Sequence, residues 1–229
     1  MPGVNAKEYA QEIPTLYRGV TSPIAAEGQH ELIREDRRPR DSGKDLPFNI
    51  CFNLMIEHRF GVPLIRQRAL FVSGDARTVV KYAAQNDTEH IGLVKPVGSF
   101  RFLYSPRIRG SFSPYSAARV LARHYRSCFS GIQAARCRPL LDNISLTLAQ
   151  LEQFFADNPG VDKGIPMRGG LSLRKRVYRV LDTDLGYTID DLGAGARSGV
   201  EIMLFDCPGG YRLERIEESQ LPLLRKHGR

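Results

Sequence analysis

Residues 69–84 place an apolar strand, a tight turn and an amphipathic helix in immediate succession. Residues 70–72 form an apolar run with strand character, and Ser73, Gly74 and Asp75 supply turn and helix-capping chemistry. Apolar side chains then recur at helical spacing from Val79 onward. Such a strand must pair with others in a sheet, and the helix that follows it must bury its apolar face. This stretch therefore limits the chain to folds that combine a sheet with helices.

The turn at residues 73–75 is also a candidate ligand site. It joins a serine hydroxyl, a carboxylate and the backbone N–H groups of a helix start, which together suit a polar or anionic ligand. Ser and Asp are equally the ordinary residues for capping a helix. The turn therefore has two interpretations, a binding site or a plain cap.

Outside residues 69–84, the spacing of apolar residues predicts strands on both sides of a helical segment. Helical spacing occurs weakly in 24–33, clearly in 48–60, and again in 115–129 and 146–155. Strand-like runs occupy 15–20, 90–97, 99–105, 175–181, 200–206 and 211–217. We therefore expect an α+β fold with a mixed or largely antiparallel sheet, as a single domain over 1–229 with a helical insertion at about 113–158.

The charge balance favours anionic partners. Lys and Arg total 33 against 25 Asp and Glu, a net charge of +8. This excess suits nucleotides, nucleic acid or acidic protein surfaces without choosing among them. The arginine-rich segment 37–42 fits a phosphate clamp, and equally an ordinary solvated surface.

The four cysteines and five histidines show no spacing typical of a zinc site, so we expect no metal. Widely spaced cysteines predict reduced, partly buried thiols of a cytosolic protein. The N-terminus has no signal-peptide pattern, and no apolar run approaches the ~20 residues that span a bilayer. We therefore expect no membrane span, and a location in the cytoplasm or delivery into a target cell without a cleavable signal peptide.

Arg18, Ser73 and Glu201 are polar residues on or beside predicted strands, and their order resembles the arginine, serine and glutamate series of the toxin-like mono-ADP-ribosyltransferases. That family has an aromatic–arginine pair on its first strand, an FxS turn before a helix ending in Tyr, an HxIG strand, and a glutamate opening a strand that leads to a Pro-containing turn. The matching residues here are Tyr17-Arg18, Phe71-Val72-Ser73, Tyr82, His90-Ile91-Gly92, and Glu201 with Pro208.

The resemblance implies a split, mixed or antiparallel sheet as an NAD-binding core, with NAD as substrate and no metal. It implies that Arg18 binds an NAD phosphate or the nicotinamide-side ribose, since a guanidinium donates two parallel hydrogen bonds. The Gly19 backbone would hold the nicotinamide carboxamide. Tyr17 and Tyr82 would complete the NAD-binding set, with a place in the core as the other interpretation of Tyr82.

The catalytic residues implied by the resemblance are Arg18, Ser73 and Glu201. Ser73 would orient the glutamate and the ribose. Glu201 would accept from the ribose 2′-hydroxyl and stabilise the oxocarbenium-like transition state as the nicotinamide–ribose bond opens.

Three residues depart from the family pattern. Gly74 and Asp75 replace the usual Thr-Ser after the serine, and Gly199 stands where arginine-modifying members carry Glu or Gln. The acceptor is therefore expected not to be arginine. The glycine-rich segment 193–199 is interpreted as an acceptor-recognising loop or as a linker.

Asp190 and Asp191 compete with Glu201 for the acidic role, because the interval between Ser73 and Glu201 is long. The first hypothesis is an ADP-ribosyltransferase that acts on an unknown macromolecular acceptor, with hydrolysis of NAD possible at the same residues. The second is a non-catalytic, basic module of the same fold that binds nucleic acid or an acidic protein.

Overall fold

A computed structural model describes residues 13–33, 46–85, 90–108, 117–129, 136–163 and 171–216. Within these residues there are seven strands and nine helices. The strands are β1 (Leu16–Val20), β2 (Gln29–Glu31), β3 (Leu70–Ser73), β4 (His90–Pro96), β5 (Arg101–Tyr104), β6 (Glu201–Phe205) and β7 (Tyr211–Arg215). The helices are α1 (Leu46–Phe60), α2 (Ile65–Arg68), α3 (Ala76–Gln85), α4 (Ala117–Cys128), α5 (Arg138–Asp142), α6 (Leu148–Asp157), α7 (Pro159–Lys163), α8 (Leu173–Leu181) and α9 (Leu192–Arg197).

The described strands form one antiparallel sheet in the order β2-β7-β4-β1-β3-β6-β5. The α+β prediction is confirmed in this form. Strand β1 pairs with β4 along its whole length but with β3 only through Tyr17 and Ser73. The sheet is therefore continuous where the resemblance implied a split one, yet a single residue pair joins its two halves.

The chain divides into two compact units. The first comprises Met1–Glu35, Arg68–Gly110 and Gly186–Arg229, and the second comprises Asp36–Gln67 and Ser111–Leu185. The sheet, α3 and α9 belong to the first unit, in which one face of the sheet packs with α9. Buried members of this core include Leu16, Val72, Ile202 and Leu213 from strands and Leu192 from α9.

The second unit is helical in its described residues. Helices α1, α4 and α8 contact one another. Helix α8 buries one stripe, formed by Leu173, Val177 and Leu181, and α4 likewise buries one face, whereas α1 is buried on all sides from Pro47 to Ile56. The predicted insertion at about 113–158 falls in this unit, which also takes in the segment around α1 and extends to Leu185. The helical spacing predicted for 48–60 is confirmed by α1.

Several predicted elements are wrong. Residues 175–181 form part of helix α8, because Ser172 accepts a hydrogen bond from the Lys175 N–H at its start and the buried residues recur every fourth position. The weak helix predicted for 24–33 does not form. Residues 29–31 of this segment are strand β2, because pairing with β7 overrides local propensity. Residues 193–197 form α9 and are neither loop nor linker. The arginine-rich segment 37–42 lies outside the described residues.

All four cysteines are free and buried, as the sequence predicts for reduced thiols. Burial raises the pKa of Cys51, Cys128, Cys137 and Cys207, and most strongly that of Cys51. These thiols are therefore kept neutral and shielded. Across the described ranges, no helix has the length and apolar character needed to span a membrane.

Candidate functional site

Tyr17, Ser73 and Glu201 form one row across three neighbouring strands. Tyr17 of β1 lies opposite Ser73 of β3, and Ser73 lies opposite Glu201 of β6. Side chains that are directly opposite in an antiparallel pair project from the same face with Cβ atoms about 5 Å apart. Ser73 is buried and Glu201 is half-buried, so the row places a carboxylate and a hydroxyl side by side at a partly shielded position.

Local hydrogen bonds fix the turn after Ser73. The Asp75 N–H donates to Ser73 Oγ at 3.2 Å, and Asp75 Oδ1 accepts from the Arg77 N–H at 3.0 Å. Thr78 Oγ1 also donates to Asp75 Oδ2 at 2.9 Å. Asp75 therefore caps the start of α3, as capping chemistry predicts, while Ser73 remains in the row with Glu201.

Gly74 lets this turn meet α9 without a side chain between them. A Cβ on Gly74 would lie 2.2 Å from the carbonyl oxygen of Ala196, which is closer than any real Cβ contact. Only glycine fits such an approach of two backbones. Packing therefore requires glycine at position 74, which is one of the positions that differ from the family pattern.

Gly199 and Asp75 take part in the same contact. Gly199 has a φ of +64°, and a Cβ there would lie 3.0 Å from the Asp75 Cβ. The Thr78 hydroxyl, which lies 2.9 Å from Asp75 Oδ2, also lies 3.2 Å from the Gly199 carbonyl oxygen and shares its single proton between these two acceptors. The three residues that depart from the family pattern thus tie the serine turn to the segment leading into Glu201.

Arg18 lies on the other face of the sheet. It follows Tyr17, and successive side chains of a strand point to opposite faces. Arg18 Nη1 donates to the Tyr211 hydroxyl at 2.7 Å, with its Cζ 5.8 Å from the ring centroid. The structure therefore brings Ser73 and Glu201 together but places the Arg18 guanidinium against Tyr211 on the far face.

Tyr211 and Glu31 extend this arrangement into a polar chain within an apolar face. The buried Tyr211 hydroxyl donates to Glu31 Oε2, and Gln29 Nε2 donates to Glu31 Oε1 at 2.7 Å. Sequence reasoning missed Tyr211 and Glu31. Only the pairing of β2 with β7, which sets Glu31 opposite Tyr211, brings them together.

The other predicted site residues have different surroundings. Asp191 caps α9 through Oδ1, which accepts from the Ala194 N–H at 3.0 Å, and its φ is 49°. The Asp190 N–H donates to Thr188 Oγ1 at 3.1 Å. Both aspartates lie outside the row of Ser73 and Glu201.

The structure gives the strand partner of Gly19, and for Tyr82 it gives only the helix in which the residue lies. Gly19 pairs with Ile91 on β4 and has no register partner on β3. Tyr82 lies in α3, and its side chain is outside the described residues. The motif segments nevertheless fall on the predicted elements, since His90 begins β4 and Glu201 begins β6.

In the part of the chain that the structure describes, no group of three or more His, Cys, Asp or Glu side chains has the arrangement of a metal site. Comparison with protein-family models, with curated proteins and with solved structures gives no significant match.

Proposed function

We propose that this chain is an NAD-dependent ADP-ribosyltransferase that cleaves the nicotinamide–ribose bond and transfers ADP-ribose to a macromolecular acceptor other than arginine. The observation that carries the proposal is the direct pairing of Ser73 with Glu201, with Tyr17 beside Ser73 in the same row. A carboxylate held next to a hydroxyl at a half-buried position suits chemistry in which positive charge develops on a sugar.

Ser73 would orient Glu201. Its oxygen accepts from the Asp75 N–H, and a hydroxyl that accepts still has its own proton to donate. That proton would go to the Glu201 carboxylate and fix its rotamer. Glu201 would then accept from the ribose 2′-hydroxyl and stabilise the charge that develops as nicotinamide leaves.

Arg18 and Gly19 would hold the substrate at the joint between the sheet halves. Pairing of β1 with β3 stops at Tyr17, so a ligand lying beyond this pair can be reached from both faces of the sheet. Arg18 would contact phosphate from one face, and Glu201 would act from the other. The bond to Tyr211 would pre-organise the guanidinium, which has five N–H donors to share.

The test incubates the protein with NAD that carries one label on nicotinamide and another on the adenylate, and measures the two labels separately. Label on nicotinamide reports cleavage, and label on the adenylate reports transfer to protein or nucleic acid in an added lysate. Glu201→Gln should lower the cleavage rate by about 100-fold while NAD binds within about threefold of wild type, as expected for a group that acts mainly in the transition state.

Asp190→Asn is the matched control, because it removes a nearby exposed carboxylate outside the row. It should cleave NAD at the wild-type rate. Undetectable nicotinamide release by the wild-type protein, or equal rates for wild type and Glu201→Gln, would contradict the proposal.

A second candidate function is a non-catalytic relative that binds nucleic acid or an acidic protein. The observation that favours it is the engagement of Arg18 by Tyr211 on the face opposite Glu201. In this case NAD would neither bind nor turn over, and Arg18 would serve the fold through the chain of Tyr211 and Glu31.

A further inference from the structure

Helix α4 presents two chemically different faces. One face is buried in the helical unit through Leu121, Tyr125 and Cys128, which recur at helical spacing. Arg119, Arg123 and Arg126 follow the same spacing on another face, and all three are exposed. At 3.6 residues per turn they lie within a narrow arc of the helix surface, so they form a single arginine stripe.

This stripe does not serve the stability of α4. Arg119 lies in the first helical turn, where a cation opposes the helix dipole, and the turn contains no acidic residue. Arg119 and Arg123 are four residues apart, a spacing at which like charges repel. An ordinary solvated helix face mixes both signs, and α4 has no acidic residue at all.

The acidic side chains described in this unit are engaged elsewhere. Asp142 pairs with Arg138, Glu152 with Arg174, Asp182 with His58, and Asp184 with Arg59. Glu57 Oε2 accepts from the Leu148 N–H, and Asp157 Oδ1 accepts from Gln153 Nε2. Within the described residues, the side chains of the three stripe arginines make no hydrogen bond or ion pair, so their guanidinium groups are available to bind a partner.

We propose that the arginine stripe of α4 binds the phosphate backbone of nucleic acid. Three guanidinium groups rising along about 10 Å of helix axis match a linear row of anions, and a guanidinium contacts phosphate with two parallel hydrogen bonds. A duplex carries one charge per about 1.7 Å of its axis and so meets all three groups at once. Binding is independent of base sequence, since contacts to phosphate carry no sequence information.

The inference does not depend on NAD cleavage, and its test uses the salt dependence of binding. Each phosphate neutralised contributes about 0.9 to the slope of log K against log salt concentration. Replacing all three arginines, as R119Q/R123Q/R126Q, should make the slope shallower by about 2.7 for a twenty-base-pair DNA or RNA duplex. The duplex that binds more tightly identifies the natural class.

A control variant, R77Q/K81Q/K95Q, removes the same net charge from exposed positions of the first unit, which contains the sheet. Its slope should stay within one unit of wild type, and the charge-preserving R119K/R123K/R126K should keep the wild-type slope. Circular dichroism melts report folding, and nicotinamide release should be unchanged in R119Q/R123Q/R126Q.

Three results would overturn the inference. The first is no duplex binding by the wild-type protein at low salt. The second is an equal slope change in the stripe and control variants. The third is displacement of the duplex by a twenty-residue polyglutamate at lower concentration than by unlabelled duplex, which would identify an acidic protein as the partner.

Discussion

Arg18 Nη1 lies 2.7 Å from the hydroxyl oxygen of Tyr211, a residue 193 positions further along the chain. Tyr211 is fully buried, and its hydroxyl donates a hydrogen bond to the Glu31 carboxylate. Arg18 is thus held by the buried hydroxyl of Tyr211, which is itself hydrogen-bonded to the Glu31 carboxylate. Its orientation is a property of three strands, β1, β7 and β2.

Replacing Tyr211 with Phe should weaken NAD binding more than it slows cleavage. The change removes a hydrogen bond to a charged group, worth about 1.5–3 kcal/mol, which is one of the contacts that position the guanidinium. On the proposed function, KM for NAD should rise about tenfold, while kcat stays within about threefold. Tyr178→Phe, which removes a hydroxyl bonded to Glu152 in the helical unit, is the control. Unchanged KM in Tyr211→Phe would show that the bond from Arg18 to Tyr211 does not prepare Arg18 to hold substrate.

Replacing Gly74 with Ala should destabilise the protein. The added methyl group would overlap the backbone of Ala196, and neither the turn nor α9 can move without disturbing the other. Overpacking of this kind costs about 1–3 kcal/mol, measured by urea unfolding. Gly160→Ala is the matched control, because nothing lies within 4 Å of its Cβ position. Equal stability of the two variants would rule out a packing requirement at Gly74.

Glu57 should make stability fall as pH rises above its ordinary pKa of 4.5. Burial raises the pKa of this carboxyl, opposed in part by the hydrogen bond from the Leu148 N–H. The folded state then holds more protons than the unfolded state between 4.5 and the raised pKa, so stability is lost across this interval.

Glu57→Gln keeps an oxygen for the Leu148 N–H and removes the titration. Its free energy of unfolding, measured in urea from pH 4.5 to 7.5, should therefore depend less on pH than that of wild type. The control is Asp157→Asn, which changes an exposed carboxylate bonded to Gln153. A pH profile identical to wild type in Glu57→Gln would refute the assignment.

The cysteines should resist alkylation in the folded protein. All four are buried, and burial raises the pKa of each thiol, which lowers the fraction of reactive thiolate. Iodoacetamide at pH 7.5 should modify none of them in buffer and all four in urea, as counted by mass spectrometry. Rapid labelling of Cys51 in buffer would contradict the packing of α1.

Much of the fold could be predicted where local pattern and tertiary packing agree. The apolar run before Ser73, the helix after Asp75 and the strand opened by Glu201 all form at the predicted positions. Prediction failed at residues 175–181, because Val177, Val180 and Leu181 satisfy a strand pattern as well as a helical one. The helix forms because its fourth-residue stripe packs with α1 and α4.

The sequence by itself determined which chemical groups are available and on which elements they lie: a hydroxyl at the end of β3, a carboxylate at the start of β6, and an arginine on β1. Only the tertiary structure decided which of them meet. Strand register sets Ser73 opposite Glu201, while alternation along β1 turns Arg18 to the other face, toward Tyr211. Alternation along a strand is a local property, but the register that sets Tyr17, and not Arg18, beside Ser73 depends on contacts between residues far apart in the chain.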